Sequence, residues 1–310
     1  MKRLWTLGGL RWHELAKRTW SECWEDEVFG LAARLAFYHF LALFPVLLLV
    51  LFFLLELAGP GSELRHTLTD SLDQLLPNRA SQLVGSMINQ LNRTAGLGIG
   101  VWWAILSSTW AAVNGTWALM TGLNMAYEVK EERRWWSLLL RALVLTICLA
   151  VLALISLALI LYGSRAVQLA GAHVGISAGA SLFWRVVQWL VIVVLLLTAF
   201  AILYRFAPNL DDREWQWSTP GAVVALVLWV GAALLLKAYF EHSSAYERLY
   251  GTIANVAMLL MWLYLTSAAI LIGGELNSEI EKAAEGKAGK RGAARRDNGN
   301  AAGNNSAKSA

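Results

Sequence analysis

The sequence predicts an all-α, polytopic membrane protein. It would have six transmembrane helices, both termini in the cytosol, a surface-lying N-terminal helix and an external pair of amphipathic helices. Three observations carry this. Six stretches, residues 35–55, 96–123, 142–162, 186–204, 221–236 and 253–274, are apolar and free of charged side chains. About 20 such residues cross the ~30 Å hydrocarbon layer of a bilayer as a helix. Hydrophobic residues make up 57% and charged residues 15% of the chain, against ~25% charged in soluble proteins. Lysine and arginine, finally, are distributed unevenly among the connections, which sets an orientation.

The N-terminal segment, residues 1–30, carries charges throughout and has no separate apolar core. It is therefore not read as a cleavable signal peptide. Trp12, Leu15, Trp20 and Trp24 recur among those charges at near-helical spacing, which predicts a helix lying on the cytosolic surface. In the first span, Pro45 has no amide hydrogen to donate to Leu41, so a kink is expected there.

The external connection after the first span is the longest. It holds two leucine-rich amphipathic repeats, Leu64 to Leu76 and Leu83 to Leu91, separated by Pro77. A helical cap over residues 62–93 follows from that periodicity. The second span carries small residues at every fourth position (Gly96, Gly100, Ala104, Ser108, Ala112), with a second register at Ser107, Ala111 and Gly115. Such faces let helix backbones approach closely, so this span is expected to be central. Trp135 and Trp136 open the third span, and Trp215 and Trp217 precede the fifth, as in an interfacial aromatic belt. Residues 166–184 are uncharged but rich in glycine and serine and are read as an external loop or re-entrant piece.

Basic residues near span ends stay in the cytosol. Lys2, Arg3, Arg11, Lys17 and Arg18 precede the first span, Lys130, Arg133 and Arg134 follow the second, and seven more fall after Glu281. Both termini of the membrane domain, residues 31–281, are thereby placed inside. The tail, residues 282–310, is rich in Gly, Ala and Asn and is expected to be disordered. Its charge suits the anionic head groups of membrane lipids, and no nucleic-acid partner is implied.

With that orientation, Arg34, Asn124, Glu128, Arg205, Asn209, Glu275 and Asn277 all come to the cytosolic ends of spans. Charge inside a bilayer is costly, and ionisable residues there tend to line an interior or an aqueous cavity. The expectation is a polar pocket open to the cytosol, with Arg34 paired to Glu275 or Glu128. The alternative is that these side chains merely anchor helix ends by snorkelling.

Motifs for soluble chemistry are missing. His13, His39, His66, His173 and His242 are scattered, with no H-E-x-x-H pair, so no metal site or other cofactor is implied. There is no phosphate-cradling G-x-x-x-x-G-K-[ST] loop and no G-x-S-x-G elbow. Cys23 and Cys148 do not suggest a disulfide.

The stretches AARLAFYHFLALFPVLLL (32–49), TGLNMAYEVKEERRWW (121–136), LYRFAPN (203–209), TPGAVVALVLW (219–229) and YGTIANVAMLLMWLYLTSAAILIGGELNSE (250–279) resemble the YihY/BrkB family of bacterial inner-membrane proteins. The resemblance implies six spans with both ends cytosolic. Where the family usually has Gly-Ser-Leu-Gly-Ala, this chain reads Gly251-Thr252-Ile253-Ala254-Asn255. The family has carried a tRNA-processing ribonuclease label and a virulence label, and no catalytic residue carries over from it. The function expected is a transporter or permease for lipid or small solutes. A non-catalytic envelope scaffold is the alternative, and a ribonuclease a distant third.

Overall fold

The computed structural model describes residues 7–58, 99–174, 178–210, 219–242 and 252–307. The cap expected over residues 62–93 lies outside them. Among the described residues the chain is all helical: a 3-10 turn at Leu7–Gly9 and then α1 (Trp12–Glu25), α2 (Val28–Ala58), α3 (Ile99–Ala126), α4 (Trp135–Val174), α5 (Ala178–Phe206), α6 (Pro220–His242) and α7 (Thr252–Ala307). Four wholly described stretches are long and apolar enough to cross a membrane: Trp135–Ile160, Val186–Phe206, Pro220–Tyr239 and Val256–Ala284. The apolar run Val28–Leu43 belongs to the 31-residue α2, and the expected first and second spans fall on α2 and α3.

Only 6% of the apolar stretch in α4 is buried within the protein, and Leu140, Val144, Ile147, Val151 and Leu154 point outward. A helix that is hydrophobic all round needs an apolar surrounding, and lipid supplies it. Where a polar side chain interrupts such a surface it finds a partner. Gln188 on α5 donates to the Leu159 carbonyl of α4 at 2.8 Å.

Two compact units divide the chain, one of residues Phe37–Thr116 and one of Met1–Ala36 with Trp117–Ala310. In the first, α2 and α3 approach at Gly115, where a Cβ would lie 3.3 Å from the His39 ring. That contact falls on the small-residue register read for the second span.

The tightest crossing of the larger unit lies elsewhere. A Cβ on Gly221 of α6 would collide with the Gly273 carbonyl of α7, and one on Gly273 would strike the Tyr204 hydroxyl of α5. The Tyr204 hydroxyl donates to the Ile270 carbonyl at 2.8 Å. Three helices therefore meet at two missing side chains.

Three expectations change. α4 is helical to Val174 and α5 begins at Ala178, so most of residues 166–184 is helix rather than loop. Ala, Leu and Gln favour helix, and extending an existing helix is easier than nucleating one. α7 also runs as helix through Ala307, into the Gly-, Ala- and Asn-rich stretch where composition predicts disorder. On α1, Leu15 parts from the tryptophans. Leu15, Thr19 and Cys23 are buried, whereas Trp12, Trp20 and Trp24 are exposed. Leu15 packs on Leu276 and Ile280 of α7, and Trp20 and Trp24 make tilted or edge contacts with Phe29. Pro45 sits inside α2, which is helical on both sides of it.

Candidate functional site

Polar groups far apart in sequence meet where α3 and α5 end, α6 begins and the middle of α7 passes them. One knot forms at the start of α6. Pro220, at the first helical position, has no N–H to satisfy. The next amide, Gly221, donates to Asn277 Oδ1 of α7 at 2.9 Å, and the Ala222 amide donates to Thr219 Oγ1 at 3.1 Å. Asn277 Nδ2 donates to the same Thr219 oxygen at 3.0 Å. A helix start buried in apolar packing needs partners for its free amides, and here a neighbouring helix provides one.

A second knot joins the ends of α3 and α5. Asn124 Oδ1 accepts the Asn209 backbone N–H at 2.7 Å, and Asn124 Nδ2 donates to Glu131 Oε2 at 2.8 Å. Asn209 Nδ2 donates to the Lys130 carbonyl at 3.0 Å. Arg133 holds Glu131 with two bonds of 2.6 Å and reaches the Ala207 carbonyl at 3.2 Å. Bidentate guanidinium pairing of this kind fixes direction as well as charge. Burial pushes the Glu131 carboxyl up, but hydrogen bonds from Arg133 and Asn124, together with the Arg133 charge, outweigh it and hold it below its ordinary value.

Lys282 ties these knots to α1. Its ammonium lies 2.6 Å from Glu128, 3.1 Å from Glu279 and 4.0 Å from Glu22. Glu128 follows α3 with φ 51°. The bonds Glu128 N to Met125 O (2.8 Å) and Val129 N to Asn124 O (2.9 Å) close the helix around it as in a Schellman ending, where glycine is usual. The left-handed residue turns the chain toward α4 and leaves its carboxylate beside α7.

Glu275 is fully buried on α7, and among the described residues neither carboxylate oxygen receives a hydrogen bond from a donor. Its carboxyl is within hydrogen-bonding range of that of Asp26, the residue capping the C-terminus of α1. Burial pushes the carboxyls of Asp26 and Glu22 up; for Asp26 the hydrogen bond with Glu275 and the Lys282 charge act the other way without offsetting it, and Glu128 and Glu25 raise it further. Burial, then the negative charges of Glu275, Asp26 and Glu22, push the Cys23 thiol up to about 12.

Of the expected pocket residues, Asn124, Asn209, Asn277 and Glu275 lie in this region, and Glu128 reaches it through Lys282. The ion pair expected for Arg34 is not formed: Arg34 is exposed on α2, Glu128 pairs with Lys282, and Glu275 faces Asp26. Arg205 lies over the Phe206 ring, 5.6 Å from its centre. Asp26, Glu22, Glu131, Arg133, Thr219 and Lys282 are participants that sequence reading missed. Asp26 and Glu22 sit in a charged run that looks solvated, and Lys282 reads as the first residue of the tail. Among the described residues, no three His, Cys, Asp or Glu side chains are placed to hold a metal ion.

Comparison with known proteins shows what the chain is similar to. The chain is 32% identical over 253 residues to the "Putative ribonuclease-like protein YfkH" of Bacillus subtilis, covering 81% of this chain and 89% of that protein. It is 28% identical over 261 residues to the UPF0761 membrane protein Rru_A2625 of Rhodospirillum rubrum, spanning 81% of this chain and 55% of that one. A match to UPF0761 membrane protein Smlt0865 of Stenotrophomonas maltophilia, at 34% over 79 residues, covers 26% of this chain and 18% of that relative. No solved structure matches. Residues 19–298 match the family described as "Virulence factor BrkB"; with that extent of agreement and its long apolar helices, the chain is a membrane protein of the BrkB family.

Proposed function

We propose that this protein crosses the bacterial inner membrane six times with both ends in the cytosol, and that it moves a lipid or small solute through a polar pocket facing the cytosol. The observation that carries this reading is Glu275, a fully buried carboxyl that receives no donor among the described residues and stands where the charge-free apolar run of α7 ends. Acidic groups inside membrane segments are costly and mark substrate or ion pathways. Asn124, Asn209, Asn277 and Glu128 would line the route, with Arg34 and Arg205 at its mouth. The basic residues after Glu281 would hold the C-terminal end of α7 against anionic head groups.

A scaffold in the envelope is the second reading. The Gly221–Gly273 crossing and the Asn277 cap favour it, because they clamp helices together rather than leave a path. The ribonuclease wording of the Bacillus relative finds no support in this chain's chemistry. Glu22, Asp26, Glu128, Glu275 and Glu279 make a largely acidic surround with Lys282 already paired, and such a field repels phosphate.

Purified full-length protein in liposomes separates the readings. Solute flux or lipid scrambling that falls at least tenfold in Glu275→Gln supports transport. Unchanged permeability across a panel of ions, small metabolites and labelled lipids supports the scaffold, and metal-dependent cleavage of RNA would restore the third.

A further inference from the structure

The mutual approach of Asp26 and Glu275 has a chemical requirement. Two ionised carboxylates are both acceptors, so a hydrogen bond between them needs a proton on one. Like charges sharing a site cannot both ionise without large cost. Glu275 is fully buried, and neither of its oxygens nor Asp26 Oδ2 receives a donor from elsewhere. Among the described residues, no N–H or O–H is bonded to these three oxygens in place of the proton.

The surroundings reinforce this. Facing the pair are Glu22, Cys23 and Glu25 from α1, Glu128 from the turn after α3, and Lys282 from α7, with Glu279 beside Glu22 and Lys282. The single cation among these groups, Lys282, is shared with Glu128, Glu279 and Glu22. It does not neutralise a doubly charged pair as well.

We propose that Asp26 and Glu275 form a proton-binding site, in which one proton lies between the two carboxyls and couples their protonation to the docking of α1 on α7. In the bound state one carboxyl donates and the other accepts, and the pair carries a single negative charge. Release transfers the proton to water or hydroxide at the α1 surface and leaves two carboxylates in contact. Their repulsion pushes Asp26, and the end of α1 with it, away from α7, while the Leu15 contact with Leu276 and Ile280 keeps the start of α1 attached. Glu275 binds the proton and Asp26 is its gate. This site stands independently of whether a solute is transported.

Infrared titration of the full-length protein in detergent tests it. A carbonyl stretch from a protonated carboxyl is expected at neutral pH, lost on alkaline titration and shifted in heavy water. It should disappear in Asp26→Asn and in Glu275→Gln. Absence of the band in the wild-type protein at neutral pH overturns the proposal even if neither variant folds. So does a band that persists in a variant with wild-type elution and helicity. The coupling to α1 is read in a Cys148→Ala background by alkylation of Cys23. Labelling should rise more steeply with pH in the wild-type pair than in Asp26→Asn, and parallel pH profiles would overturn the gating step. Either failure leaves transport to be decided separately, by the liposome flux measurement.

Discussion

Asn277 caps a helix to which it does not belong: its Oδ1 accepts the amide of Gly221, 56 residues earlier in the chain, at 2.9 Å. The same side chain donates to Thr219, so one buried carboxamide supplies both an acceptor and a donor across the α6–α7 interface. Truncating it strands the Gly221 amide in an apolar surrounding. Asn277→Ala is expected to lose about 1–3 kcal/mol, read as a lower unfolding midpoint in detergent. Asn277→Asp, which keeps the acceptor and loses the donor, should fall between. Equal stability of all three proteins would show that the cap is dispensable.

Gly221 and Gly273 allow that interface to close. A methyl group on Gly221 meets the Gly273 carbonyl and lies 2.6 Å from the Asn277 side chain. These are backbone and buried groups with no room to yield. Gly221→Ala and Gly273→Ala should each cost at least about 1–3 kcal/mol. Gly231→Ala, where a Cβ would meet nothing within 4 Å, is the control and should be neutral. Thermal unfolding of the three variants checks the contrast.

Glu131 gives the larger unit an acid-sensitive connection. Its folded-state value lies below the ordinary 4.5, so its contribution is present above that pH and lost as the pH falls through the lower folded value. Glu131→Gln should flatten the acid limb of the stability curve, with little change in its alkaline limb. Arg133→Gln should do the same, since it removes the main stabilising partner.

Asp26 has the opposite sign. Its folded-state value is raised, so its contribution is fully present below the ordinary 3.8 and is lost as the pH rises through the folded value. Asp26→Asn removes the charge that burial disfavours. It is expected to be less sensitive to alkali than wild type, with the two unfolding midpoints diverging as pH rises. A constant offset would show that Asp26 titrates alike in both states.

Cys23 is buried at 1% exposure, and its thiol is pushed up to about 12. The thiolate is the reactive form, so iodoacetamide at neutral pH should leave Cys23 unmodified in the folded protein and label it after denaturation in dodecyl sulfate. Peptide mass spectrometry reads this directly. Prompt labelling in the native state would mean that α1 is not docked on α7 in solution.

Hydropathy alone makes α4 to α7 legible, because a charge-free apolar run of that length has few alternatives to a helix in lipid. The order of spans and a rule about lysine and arginine assign one expected depth to Asn124, Asn209, Glu275 and Asn277. Neither assigns rotation about each helix axis. Depth and sign match Arg34 to Glu275, yet Arg34 is exposed on α2 and Glu275 meets Asp26 instead. Spacing groups Leu15 with three tryptophans, but only packing on Leu276 and Ile280 separates the buried stripe of α1 from the exposed one.

The chain's own letters determine that it is helical, that it belongs in a bilayer, and that its polar residues gather where its apolar runs stop. Those properties depend on transfer from water to hydrocarbon and on local spacing, which are additive along a sequence. Tertiary structure alone decided that Asn277 caps α6, that Lys282 reaches Glu128, and that Asp26 lies against Glu275. Each of these contacts depends on the mutual rotation and close approach of distant helices, which is set by all their packed side chains together.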